Sequence, residues 1–176
     1  MNDNAIEKAW FAGGCFWCMQ PPFDNTVGVV KTTVGYMGGH LSNPTYQEVC
    51  SDKTGHVEAI EVAFDPAIVR YEQLLAIFWS NIDPFDEGGS FADRGEHYHT
   101  IIFYGDESQR RAAEKSKAEI EIRFLGKPVA TRLVPAKPFY TAEDYHQDYY
   151  QKNTVHYNLY KHASGRVSKL KEIWEK

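Results

Sequence analysis

Residues 56–82 read HVEAIEVAFDPAIVRYEQLLAIFWSNI, and the hydrophobic period changes once along them. From His56 to Phe64 the chain alternates, with Glu58, Ile60, Val62 and Phe64 on one side and Val57, Ala59, Glu61 and Ala63 on the other. That period of two is a strand's. Asp65-Pro66 stops it, since proline has no N–H for a ladder. Then Tyr71, Leu74, Leu75, Phe78, Trp79 and Ile82 recur at i, i+3, i+4, i+7, i+8 and i+11, the stripe of a helix that buries one face. Asp83-Pro84 ends that helix. A strand with an apolar face and a helix with an apolar stripe cover each other in layers.

Working outward, Lys8 to Ala12 reads as a short strand running into Gly13-Gly14, and Val27 to Tyr36 as a β-branched strand. Gly38-Gly39 and Asn43-Pro44 make a loop before a helical turn from Thr45 to Cys50. Downstream come a Gly- and Asp-rich loop from Asp86 to Glu96 and a strand from Thr100 to Tyr104. A long helix follows from Asp106, its N-cap, to Phe124, with Gly126 as the stop. Val129 to Val134 is a further strand, Thr141 caps a short helix, and a final helix ends near Trp174. The irregular alternation predicts an α+β fold, a two-layer α/β sandwich with helices on a mixed or antiparallel sheet. No repeat or linker interrupts residues 1–176, which are expected to form a single domain with 154–176 as a C-terminal helical extension.

The length of 176 residues is enough to bury a core without staples. A net charge of −5 provides no basic field for nucleic acid. The basic tail of Lys161, Arg166, Lys169, Lys171 and Lys176 is read as a solvated helix face. No apolar run approaches the ~20 residues of a membrane helix. The polar stretch from Met1 to Lys8 has no signal-peptide core, so a cytoplasmic location is expected.

The three cysteines, Cys15, Cys18 and Cys50, are too few for a disulfide scaffold. Cys15 and Cys18 form a Cys-x-x-Cys directly after a strand and a glycine turn, a spacing that suits redox chemistry or half a metal site. A helix beginning there would aim free N–H groups at the Cys15 sulfur and favour thiolate. Pro21-Pro22 is expected to break or kink such a helix. Zinc would need two more ligands, yet only Cys50 remains and the histidines form no His-x-x-x-His pair. His97 and His99 are read as surface or supporting residues, and Cys50 as a small apolar filler. Glu58 shares its strand face with Ile60, Val62 and Phe64. Burial there would raise its pKa, but the spacing alone leaves open a strand-end carboxylate turned to solvent. These residues also leave open a thioredoxin-like dithiol oxidoreductase and a non-catalytic module with an aromatic pocket.

Gly14-Cys15-Phe16-Trp17 resembles the signature of the A-type peptide methionine sulfoxide reductases. The resemblance continues through Gly35-Tyr36-Met37-Gly38-Gly39, Asn43-Pro44-Thr45-Tyr46, Val49-Cys50 and Thr54-Gly55-His56-Val57-Glu58-Ala59. It extends through Phe78-Trp79, Asp83-Pro84, Pro138-Phe139-Tyr140 and Ala142-Glu143-Asp144-Tyr145-His146-Gln147. It implies a single catalytic α+β domain that reduces the S epimer of methionine sulfoxide, free or in proteins, and so repairs oxidised proteins. It implies Cys15 as nucleophile, Phe16 and Trp17 around the substrate methyl group, and Glu58 as proton donor. Tyr46 and Tyr98 are implied as hydroxyls at the sulfoxide oxygen, and Asp93 as a supporting acid.

The chain departs from the family in two places. Cys18 stands where the family more often has glycine, and no cysteine follows Cys50 to serve as a C-terminal recycling thiol. Attack on the sulfoxide leaves Cys15 as a sulfenic acid, which needs a second thiol. Cys18, three residues on, is the near candidate for the resolving thiol. An outside dithiol, most simply thioredoxin, would then reduce the disulfide, with no metal, flavin or nucleotide cofactor required.

Overall fold

The computed structural model describes residues 5–175. Met1 to Asn4 of the polar N-terminal stretch and Lys176 of the basic tail lie outside them. In chain order the elements begin with β1 (Glu7–Gly13), α1 (Phe16–Asp24), β2 (Val29–Met37), α2 (Tyr46–Cys50), β3 (Val57–Phe64) and α3 (Tyr71–Ser80). There follow β4 (Gly89–Ser90), β5 (Asp93–Arg94), β6 (Thr100–Tyr104), α4 (Glu107–Arg123), β7 (Arg132–Pro135) and β8 (Tyr140–Thr141). The last three are α5 (Tyr149–Lys152), α6 (Thr154–Ala163) and α7 (Arg166–Trp174).

The main sheet has the order β7-β6-β1-β3-β2-β8. Its pairs are antiparallel except β6 with β7, which run parallel across the α4 crossover, so the sheet is mixed. The period-two reading of β3 holds. Ile60, Val62 and Phe64 join Phe11 of β1 and Met19 and Phe23 of α1 in one core with the α3 stripe of Leu74, Leu75 and Phe78. Val57 and Ala59 face the other way, against Met37 and Phe103. The helices therefore lie on the sheet in the expected α+β arrangement.

Several local expectations give way to tertiary contacts. Thr141 caps no helix; Tyr140 and Thr141 pair with Tyr36 and Gly35 as an edge strand. The loop from Asp86 to Glu96 contains the β4–β5 hairpin. The strand expected from Val129 begins at Arg132. Pro21 and Pro22 do not break α1, which runs through both to Asp24. Its buried face of Phe16, Met19 and Phe23 holds it on the sheet, and packing of this kind outweighs lost helix bonds in so short a segment.

Candidate active site

β1 is central in the sheet, and its last residue hands the chain to Gly14 and Cys15 at the start of α1. Gly14 has φ of 82°, and a Cβ there would lie 2.4 Å from the Ser90 side chain, so only glycine lets the β4–β5 hairpin close over this turn. That hairpin carries Asp93, and the short 3-10 turn after it carries Tyr98. The turn is anchored by Asp52, which accepts from the His97 backbone N–H at 3.0 Å and lies 2.6 Å from His97 Nδ1. His97 is thus a buried supporting residue.

Cys15 and Cys18 are both buried, at 5% and 4% exposure. The expectation that helix N–H groups face the Cys15 sulfur is not met. The Phe16 N–H donates to Glu58 Oε2 at 3.0 Å, and the Cys18 N–H donates to the Cys15 carbonyl at 3.1 Å. Burial instead pushes the Cys15 thiol well up, opposed by contact with the Tyr160 hydroxyl. Cys18 is lowered to about 7, first by a hydrogen bond from Cys15 and then, against burial, by the charges of Arg166 and Lys161.

Glu58 is 2% exposed. Burial raises its pKa to about 8, opposed by the Phe16 N–H and reinforced by Asp93 and Cys18. The solvent-facing alternative is ruled out, and the carboxyl carries its proton at neutral pH. Burial raises both Tyr46 and Tyr98, reinforced at Tyr46 by its hydrogen bond with Cys50 and then by Glu58, and at Tyr98 by Glu58, so both remain hydroxyl donors. Cys50 is half-buried and shares a hydrogen bond with the Tyr46 hydroxyl, which sets it at the rim of this cluster. Asp93 accepts a short hydrogen bond from Tyr160. Phe16 lies in the apolar cluster with Val34, Tyr36 and Val49. Trp17 is half-buried, stacked on Tyr149 at 3.8 Å and edge-on to Tyr160.

Four further residues belong to this cluster. His146 sits between Phe16 and Tyr46, with ring centroids 5.0 and 4.7 Å away. Its Nδ1 accepts from Trp17 Nε1 at 3.1 Å, and its Nε2 is buried without a partner. Tyr157 and Tyr160 descend from α6 onto the cysteines. Arg166, expected on a solvated face, is instead buried at 3% exposure. The sequence signals are the resemblance run over residues 142–147 for His146 and the i, i+3 spacing of Tyr157 and Tyr160 before Gly165. Among the described residues, no three His, Cys, Asp or Glu side chains gather as a metal ion would require. No helix among them is long and apolar enough to cross a membrane.

The sequence profile of the family described as peptide methionine sulfoxide reductase matches residues 7–176. Peptide methionine sulfoxide reductase MsrA of Listeria innocua is 51% identical over 177 residues, covering 99% of each chain. The structure of methionine sulfoxide reductase A of Corynebacterium diphtheriae superposes with a TM-score of 0.75 at 32% identity, over 87% of this chain and 77% of that one. Mxr1 of Saccharomyces cerevisiae in reduced form gives 0.80 at 28% identity, over 85% and 86%. The same yeast protein in complex with Trx2 gives 0.59 at 21% identity, over 84% and 87%, a likeness of fold.

Proposed function

The chain belongs to the peptide methionine sulfoxide reductases, and from that premise we propose how its own residues divide the work. It reduces methionine sulfoxide to methionine, with Cys15 attacking the sulfoxide sulfur. The observation that carries this reading is the buried Glu58, bonded to the backbone N–H next to Cys15, where burial raises its pKa to about 8 and favours the protonated carboxyl. Attack pushes charge onto the sulfoxide oxygen, and a neutral carboxyl beside the nucleophile can deliver a proton there as the charge develops. Tyr46 and Tyr98 are the remaining donors to that oxygen, and Asp93 holds Tyr160 against Cys15.

The Cys15 proton passes to Cys18, which the Cys15 hydrogen bond already favours as the anion. Methionine leaves and Cys15 becomes the sulfenic acid. The Cys18 sulfur then bonds to the Cys15 sulfur, the S–O bond breaks, and water departs. The Cys15–Cys18 disulfide is reopened by a thioredoxin-type dithiol, a reading in keeping with the yeast relative solved with Trx2. No prosthetic group enters these steps. We take the S epimer as the one accepted, Phe16 and Trp17 as the walls for its methyl group, the whole chain as one catalytic domain and the cytoplasm as its place.

The test is incubation with the two epimers of a methionine-sulfoxide peptide and dithiothreitol, followed by separation of products. Methionine from the S epimer alone, lost in Cys15→Ser, is expected. Turnover persisting in Cys15→Ser would refute the assignment.

A further inference from the structure

Arg166 opens α7 and is the one buried lysine or arginine among the described residues. None of the ion pairs among those residues includes it. Its guanidinium donates to the Asn81 carbonyl at 2.7 Å and the Gly13 carbonyl at 3.0 Å. It lies 4.5 Å from the Phe91 ring centroid, and Nη2 is 3.2 Å from where a Cβ on Gly14 would stand. The cation is therefore wedged under the turn that carries Cys15 into α1.

Two carbonyls and, at 4.0 Å, the Met19 sulfur accept from the guanidinium but leave its charge uncancelled, and a buried charge without a counter-ion is costly. In low dielectric its field reaches further than in water. The thiolate of the cysteine pair is the counter-ion this position suits. We propose that Arg166 is a positioning residue for the recycling half of the reaction, holding Cys18 in the anionic form that attacks the Cys15 sulfenic acid. The proposal rests on the reading of Cys18 as the resolving thiol.

The groups facing Cys18 come from several elements: Cys15, Asp93 from β5, Lys161 from α6 and Arg166 from α7, with Glu58 of β3 within reach of its charge and the buried Tyr157 hydroxyl of α6 in hydrogen-bond contact with it. Glu58 is neutral at working pH, Asp93 opposes the anion, and Lys161 supports it. Before the first step the Cys15 thiol is the largest contributor to the Cys18 anion. Once Cys15 is oxidised that S–H no longer exists, and the fixed cations remain. In the step itself the Cys18 sulfur bonds to Cys15, the S–O bond breaks, and the leaving oxygen takes the proton released by Cys18 to depart as water. Cys18 is oxidised and the sulfenic sulfur is reduced.

The test uses the Cys50→Ser chain, so that Cys15 and Cys18 are the only thiols. Thiolate absorbance at 240 nm is followed against pH with Arg166, Arg166→Lys and Arg166→Met. The first ionisation of the pair should rise by at least about one pH unit in Arg166→Met, which is tenfold less thiolate below the midpoint. Condensation of the sulfenic acid at pH 7 should slow by a similar factor, and Arg166→Lys should restore most of both. An unchanged midpoint and condensation rate in Arg166→Met would overturn the proposal. Should that variant not fold, the Arg166 protein decides, because a first ionisation at or above the free-thiol value of about 8.5 overturns it equally. A Cys15–Cys50 disulfide in the unaltered chain would instead refute the choice of resolving thiol, a separate failure.

Discussion

Glu58 combines a fully buried position with a bond to the Phe16 N–H, and three predictions follow from its protonated carboxyl. Glu58→Gln keeps the hydrogen-bonding shape but has no acidic proton. Single-turnover reduction should therefore fall by ~10²–10⁴-fold, measured by rapid quench. In the unaltered chain that rate should decline as pH rises through about 8, a limb absent from Glu58→Gln. The folded chain also holds a proton on Glu58 that the unfolded chain has lost, from its free value up to about 8. This contribution to stability is complete below the free value and is lost as pH rises. The thermal midpoint should fall across that window, and fall less in Glu58→Gln. Glu58 was legible because a strand's period is local, and Ile60, Val62 and Phe64 mark its face. Arg166 was not, because its surroundings at Gly13 and Asn81 are made by docking of the last helix.

At the scale of elements, the first turn of α1 brings Cys18 onto the N-cap Cys15, while Cys50 at the end of α2 lies beside Tyr46. Cys18→Ser should give about one methionine per chain and then stall as the sulfenic acid, with thioredoxin-driven turnover collapsing. Cys50→Ser should keep that turnover largely intact. Full turnover in Cys18→Ser would show that another thiol resolves. For α4, the Asp106 carboxylate caps the Gln109 N–H at 2.8 Å, and Asp106→Ala should cost about 1 kcal/mol by denaturant unfolding. The long helices and strands were legible from their period. Residues 140–152 were not, because β8 exists through pairing with β2 and α5 starts just after Asp148, whose φ is 54°. Sequence period carries no trace of either.

Over the whole molecule, the sheet order places β1 between β3 and β6, so the nucleophile leaves the centre of the sheet and Glu58 comes from its neighbour. α3 packs on that pair, with Phe78 stacked on Phe11 at 5.3 Å. Phe78→Ala should destabilise by about 3–5 kcal/mol through transfer and cavity terms, read as a lower denaturant midpoint. The layered α+β class was legible from residues 56–82, which supply one layer each. The closing of the site by α6 and α7 was not, since it depends on which face of those helices meets the cysteines. The most direct measurement adds one equivalent of the S-sulfoxide peptide to the reduced chain without any reductant, then maps the cysteines by mass spectrometry. About one methionine per chain and a Cys15–Cys18 disulfide are predicted. No methionine, or methionine formed while Cys15 stays a free thiol, would contradict the account.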